Sequence, residues 1–266
     1  MNGPALTGIL DAMPTGFLDR PRPLAFAHRG GATHFPENSW TAFEHAVGLG
    51  YAYLETDAHA TSDGTVVAFH DKTLDRVTDS TGRIADLTAA QVAKARINGT
   101  EPIPLLADLL MAWPDVRFNI DVKDEPVIAP LVEVLKATSV LDRVCLTSFS
   151  GQRLKATLRL LPQPVCSATS PADVVALRAG VPIRALASRF AANSTECAQI
   201  PVSMATPRVI DRAHASGLQV HVWTVNDTQT MAAMLDRGVD GIMTDNTEAL
   251  RELLISRGQW HPRKAA

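Results

Sequence analysis

The chain has 266 residues and a formal net charge of −3, and it is 46% hydrophobic and 20% charged. That length and apolar content suit one domain with a large core, since single α/β barrels run to about 250 residues. The small net charge offers no electrostatic footprint for nucleic acid.

Residues 1–23, MNGPALTGILDAMPTGFLDRPRP, lack a basic start, and Asp11 interrupts their apolar stretch. No signal peptide, membrane span or stable membrane association is expected, and the cytoplasm is the expected location. The three cysteines, Cys145, Cys166 and Cys197, show no CxxC spacing, so neither a zinc cluster nor a disulfide framework is expected and the thiols are read as inert.

From residue 24 onward short β-type runs alternate with helix-like ones. The strand candidates are LAFAH (24–28), AYLETDA (52–58), VRFNIDVK (116–123), RVCLTSF (143–149), QPVCSA (163–168), ALASR or QIPVSM (within 185–204), LQVHVWTV (218–225) and DGIMTD (240–245). The helix candidates are 41–50, 129–138, 151–161, 171–180, 206–217 and 228–238, and Gly50, Gly180, Gly217 and Gly238 act as stops. Strand alternating with helix implies a parallel sheet. About eight such units point to an α/β fold of the (β/α)8 TIM-barrel type, a single domain over 1–266. An open doubly wound sheet is the alternative, weakened by the absence of GxGxxG after the first strand. Residues 59–104 break the rhythm and read as a small insertion after the second strand.

Glu55 and Asp57 lie two apart on one strand and so share a face. At the C-terminal end of a barrel strand that face looks into the mouth. Two carboxylates repel there unless a hard divalent cation joins them, and the bland alternative is a solvated strand end. Asp63-Gly64 signals a two-residue hairpin turn. Ser62 would then face Thr65 and Asp57 would lie opposite His70, with His59 on the same face. His70 beside metal-held carboxylates suits general acid or base work. In FNIDVKD, Asn119, Asp121 and Lys123 share a face. Asp121 can add a third carboxylate and Lys123 can meet a phosphate, or the two can simply pair.

His28 and Arg29 end the first strand. His28 can pair with His70 across the mouth, and Arg29 offers a fork for phosphate oxygens. Gly30 and Gly31 allow close backbone approach to a ligand. Asn38 or Ser39 can cap a helix starting near Trp40. Trp223 can wall the pocket or pack in a barrel layer. His221, deeper on that face, reads as a hydrogen-bonded core residue, and His214 as helical and outside the barrel.

Together, His28-Arg29-Gly30, Pro36-Glu37-Asn38, Glu55-x-Asp57, His70-Asp71 and Leu74-x-Arg76-x-Thr78 resemble the glycerophosphodiester phosphodiesterases. The likeness continues through IPLLADLL (103–110), NIDVK (119–123), VWTVN (222–226) and DGIMTDN (240–246). The resemblance implies a TIM barrel with an insertion after its second strand. It also implies hydrolysis of a glycerophosphodiester to glycerol 3-phosphate and an alcohol. On it, His28 and His70 are the acid–base pair and Glu55 and Asp57 hold one divalent cation, Mg2+, Ca2+ or Mn2+. Arg29 contacts phosphate, and Glu37 and Asn38 support the site. Asp121 departs from the family, where Glu is usual, and Ser39 stands where Thr is common. Related barrel phosphodiesterases act on lysophospholipids or release a cyclic phosphate, and a non-catalytic phosphoglycerol-binding barrel would keep Arg29 and the carboxylates. Nothing in the sequence sets an oligomeric state.

Overall fold

Alternate residues of each strand carry different chemistry, and the barrel follows from that alternation. Leu54, Phe118, Ile120, Val144, Leu146 and Val222 face outward, into a continuous apolar layer shared with the surrounding helices. Burying each such side chain contributes about 1.5–3 kcal/mol. Their neighbours in sequence point inward. The computed structural model describes residues 16–181 and 195–263. It holds eight parallel strands: β1 (Leu24–Ala27), β2 (Tyr53–Ala60), β6 (Arg117–Val122), β7 (Val144–Thr147), β8 (Cys166–Ala168), β9 (Thr195–Pro201), β10 (Gln219–Trp223) and β11 (Gly241–Thr244). β1 pairs with both β2 and β11, which closes the barrel. QIPVSM overlaps β9, whereas ALASR lies outside the described residues.

Helices Trp40–Gly48, Ile128–Ala137, Gly151–Leu160, Pro171–Ala179, Pro207–Ala215 and Thr228–Asp236 occupy the predicted positions. Leu106–Ala112 and Thr247–Ser256 were not among the segments read as helical. The first lacks a side-chain N-cap and follows Leu105 directly, so nothing polar marks its start. No helix among the described residues is long and apolar enough to cross a membrane.

The floor of the barrel is aromatic. Phe17, in the turn Gly16–Leu18, is fully buried against Phe26 and Tyr53, and the Tyr53 hydroxyl donates to the Phe17 carbonyl at 2.7 Å. Above it the interior turns polar.

Within residues 59–104, β3 (Val66–Ala68) runs antiparallel to β2, and β4 (Arg96–Ile97) pairs with β5 (Glu101–Pro102). This excursion has its own apolar cluster of Val67, Phe69, Leu74, Ile84, Val92 and Ile97. The predicted register of its hairpin is wrong by one residue: Ala58 pairs with Ala68 and Ala60 with Val66. The Asp57 backbone carbonyl therefore accepts from the Phe69 N–H at 2.9 Å, and Asp57 does not lie opposite His70. The loop has three residues, because Thr61 rather than Ser62 faces Thr65 and Gly64 takes a φ of 83°. Asp63 is drawn away from a two-residue turn by the Thr61 hydroxyl at 2.5 Å and the Ala89 N–H at 3.0 Å.

Candidate active site

Parallel register brings the acidic strand ends together. Asp57 of β2 is the direct partner of Asp121 of β6, and Glu55 of Asn119. All four side chains are buried, and the three carboxylates line one pocket at the C-terminal mouth. Lys123 completes the cluster, its Nζ 3.1 Å from both Asp57 Oδ1 and Asp121 Oδ2.

The electrostatics follow from burial. Glu55 is pushed up to about 7 by burial and by the Asp57 charge beside it. Burial would raise Asp57 too, but Lys123 and Arg29 outweigh it and hold that carboxyl low. Burial raises Asp121 in spite of Lys123. Burial opposes the Lys123 charge, yet Asp57 and Asp121 keep the ammonium above its ordinary value. Asp121 Oδ1 is buried without a hydrogen-bond partner. An unsatisfied carboxylate oxygen beside two further carboxylates is a donor set that fits a hard divalent cation.

The two histidines reach this pocket by different routes. His28 starts the single turn His28–Gly30 that follows β1. Its Nδ1 meets Asp245 Oδ1 at 2.6 Å, and its Nε2 lies 3.8 Å from Glu55 Oε2. Burial works against the imidazolium, but Glu55 and Asp245 outweigh it, so His28 titrates above its usual value. His70 arrives after β3 ends. Its carbonyl accepts from His59 Nε2 at 3.2 Å, and its Nδ1 meets Asp71 Oδ1 at 2.6 Å. Asp71 is pulled down to about 2 by its hydrogen bond from Arg76, with burial opposing and His70 adding. Each imidazole is thus pinned through Nδ1 to a carboxylate, which leaves Nε2 for proton exchange.

A polar brace links the histidine loops. Arg76 donates to both Asp71 and Glu37, and Arg29 donates from Nη1 to Glu37 Oε1 at 3.1 Å. Burial would raise Glu37, but Arg76 and Arg29 hold it low. Arg29 also gives its backbone N–H to Glu55 at 3.0 Å and places Nε 3.4 Å from Asp57. Asn38, buried with φ 54°, donates Nδ2 to Asp57 Oδ2 at 2.9 Å and accepts from Thr56 Oγ1 at 2.8 Å. Ser39 caps the helix from Trp40, accepting from Ala42 N at 3.2 Å.

Gly30 and Gly31 act otherwise than expected, since their bare backbone makes room for protein. At Gly30, φ is 84° and a Cβ would lie 2.9 Å from Ala42 Cβ and 2.9 Å from Phe43 N. At Gly31 the obstacle is Thr247 Cγ2 at 2.7 Å. Gly30→Ala is expected to destabilise the fold by about 2–5 kcal/mol, read as a lower urea midpoint, because strain and overpacking add.

His59 is buried and holds Asp124 at 2.9 Å, so it does not line the pocket. Trp223 does, its ring edge-on to the exposed Phe149 with centroids 5.6 Å apart. His221 is fully buried below the mouth, and His214 sits in helix Pro207–Ala215 against Asp240. Asp245 and Asn226 were missed as site residues. They lie at the ends of VWTVN and DGIMTDN, and Asn226 Nδ2 holds Asp245 Oδ2 at 2.8 Å. Asp245→Asn is expected to lower kcat more than about tenfold with little change in KM and to shift the acid limb of the pH profile, because the amide cannot hold His28 in the same tautomer.

The glycerophosphoryl diester phosphodiesterase family model matches residues 28–249. The "Probable glycerophosphodiester phosphodiesterase 2" of Mycobacterium tuberculosis is 40% identical over 254 residues, 92% of this chain and 95% of that protein. A glycerophosphodiester phosphodiesterase of Caldanaerobacter subterraneus is 29% identical over 251 residues, covering 89% of this chain and 100% of its own. The Oleispira antarctica phosphodiesterase solved with its product sn-glycerol-3-phosphate superposes with a TM-score of 0.75 at 23% identity, over 88% of this chain and 97% of that one, and shares the fold. With the family's span running from the first histidine to the first turn of the last barrel helix, this chain belongs to the glycerophosphoryl diester phosphodiesterase family.

Proposed function

We propose that this chain hydrolyses glycerophosphodiesters to glycerol 3-phosphate and an alcohol. In this reading His28 and His70 move the protons and Glu55, Asp57 and Asp121 hold one divalent cation, Mg2+, Ca2+ or Mn2+. One observation carries it: two imidazoles border one pocket, each locked through Nδ1 to its own carboxylate, above three converging acidic groups. One histidine takes the proton of the attacking hydroxyl, and the other gives a proton to the departing alkoxide. The nucleophile is water or the neighbouring glycerol hydroxyl, the latter forming a cyclic phosphate first. Lys123 and Arg29 set fixed positive charge where the phosphoryl oxygens gain negative charge. When bound, the cation supplies Lewis-acid neutralisation of those oxygens. Glu37 and Asn38 hold Arg29 and Asp57 in place, and Trp223 walls the glycerol or the leaving-group side. The cytoplasm stays the proposed location on cysteine usage.

A second reading has an observation of its own. Phe149 is 66% exposed and Val175 63% exposed on the wall beside Trp223. Such an apolar shelf favours a diester with an apolar substituent, such as a lysophospholipid. The test is release of the alcohol from a panel of choline, ethanolamine, glycerol, inositol and lysophospholipid diesters, with glycerol 3-phosphate as the other product of the unacylated diesters, a lysophosphatidic acid as that of the lysophospholipid, and phosphorus NMR for a cyclic product. No release from any of them would end the hydrolase reading. A higher kcat/KM on the lysophospholipid would select the second.

A further inference from the structure

The three cysteines, inert by sequence, are brought together by the barrel. Cys145 of β7 is the register partner of Cys166 of β8, and Cys197 follows on β9. All three side chains point inward, all are fully buried, and their Sγ atoms lie within 4.8 Å of one another. The Cys145 and Cys197 sulfurs are 4.0 Å apart. Four-coordinate zinc with Zn–S bonds of about 2.3 Å needs sulfurs roughly 3.8 Å apart, so a small inward shift would suffice.

A candidate fourth donor stands on the next strand round the barrel, two residues beyond Gln219, the register partner of Cys197. His221 of β10 is fully buried, and its ring is wedged against Phe26, with centroids 4.9 Å apart, and against Gly241. Gln219 Oε1 occupies its Nε2 at 3.3 Å, which fixes the proton there. Its Nδ1 is left buried with no hydrogen-bond partner. That nitrogen is a lone-pair donor without a role in the packing.

We propose that Cys145, Cys166, Cys197 and His221 form a structural site for one thiophilic cation, Zn2+ by its donor set, separate from the carboxylate site above. Binding releases the three thiol protons and leaves three thiolates with a neutral imidazole, a closed tetrahedral set with no open position. The cation would tie β7, β8, β9 and β10 together one inward-facing layer below Asp121, since Cys145 is the partner of Asn119. No CxxC spacing betrays the site because each ligand comes from a different strand. The surrounding Phe26, Tyr53 and Met243 keep water out, so the cation must enter while the chain folds.

The full chain is therefore produced under reducing conditions in zinc-supplemented and, separately, cobalt-supplemented medium. It is desalted and analysed for metal by mass spectrometry of the elements. About one Zn2+ per chain is expected to survive desalting, and the cobalt form should show a thiolate-to-cobalt charge-transfer band. Cys166→Ala should lose both, while a Glu55→Gln, Asp57→Asn double variant should keep both. If Cys166→Ala fails to fold, His221→Asn serves as the second variant, with retained zinc but an altered cobalt spectrum expected. Folded protein that leaves desalting without zinc and with three reduced thiols, or an intramolecular disulfide in the intact mass, would overturn the proposal. So would a metal that survives loss of all three cysteines.

Discussion

His28→Ala and His70→Ala are each expected to lower kcat by roughly 10²–10⁴-fold while the circular dichroism spectrum stays that of the folded barrel. The size follows from the role, because an imidazole that hands over a proton in the transition state has no substitute in an alanine. The survival of the fold follows from position. Both side chains border the pocket instead of the apolar layers, and the carboxylates they release keep partners. Asp245 retains Asn226, and Asp71 retains Arg76. The two variants should differ with the leaving group. A diester carrying nitrophenol, whose anion needs no proton, should restore much of the rate in the variant that has lost the acid and little in the variant that has lost the base. Near-normal turnover in either variant, measured as glycerol 3-phosphate release, would remove that histidine from proton transfer.

Chelation is expected to have an effect as large. EDTA should abolish turnover, and added Mg2+, Ca2+ or Mn2+ should restore it. The carboxylate cluster is under-neutralised. Lys123 serves both Asp57 and Asp121, yet Asp121 keeps a bare buried oxygen and Glu55 is driven up to about 7. A divalent cation removes both penalties at once. Asp121→Glu should remain active and change the order of preference among the three metals, because the longer arm alters the reach of the third ligand. Activity that ignores the chelator would contradict the metal while leaving the hydrolase reading intact, since the histidine variants test that separately.

Much of this was legible in the sequence. Alternation of apolar and polar residues marked the strands, and mixed three and four spacing with terminal glycines marked most helices. The two-residue spacing of Glu55 and Asp57, and of Asp121 and Lys123, specified which side chains share a face. These are local properties of the chain, set by the period of two in a strand and of 3.6 in a helix. The order of strand and helix then restricts the topology to a parallel sheet, and the count of units favours closure.

What only the tertiary structure decided is how separate strands and loops meet. The hairpin shows the limit. Asp63-Gly64 was the correct turn signal, but Asp63 found partners in Thr61 and in the Ala89 N–H, and the loop gained a residue. His70 nevertheless lines the pocket, because His59, Asp71, Arg76 and Glu37 steer it there after the strand has ended. Asp245 became visible as the His28 partner only once β11 closed against β1. Gly30 and Gly31 could be read as space for a ligand until helix Trp40–Gly48 and Thr247 filled that space. The cysteines make the same point most sharply. Spacings of 21 and 31 residues carry no motif, yet barrel registration gathers three thiols, with a buried imidazole nitrogen that lacks a partner on the next strand. The sequence by itself determines what each segment can become, since backbone preference and patterning act over a few residues. Which side chains become neighbours depends on register and closure, and those depend on contacts made across the whole chain.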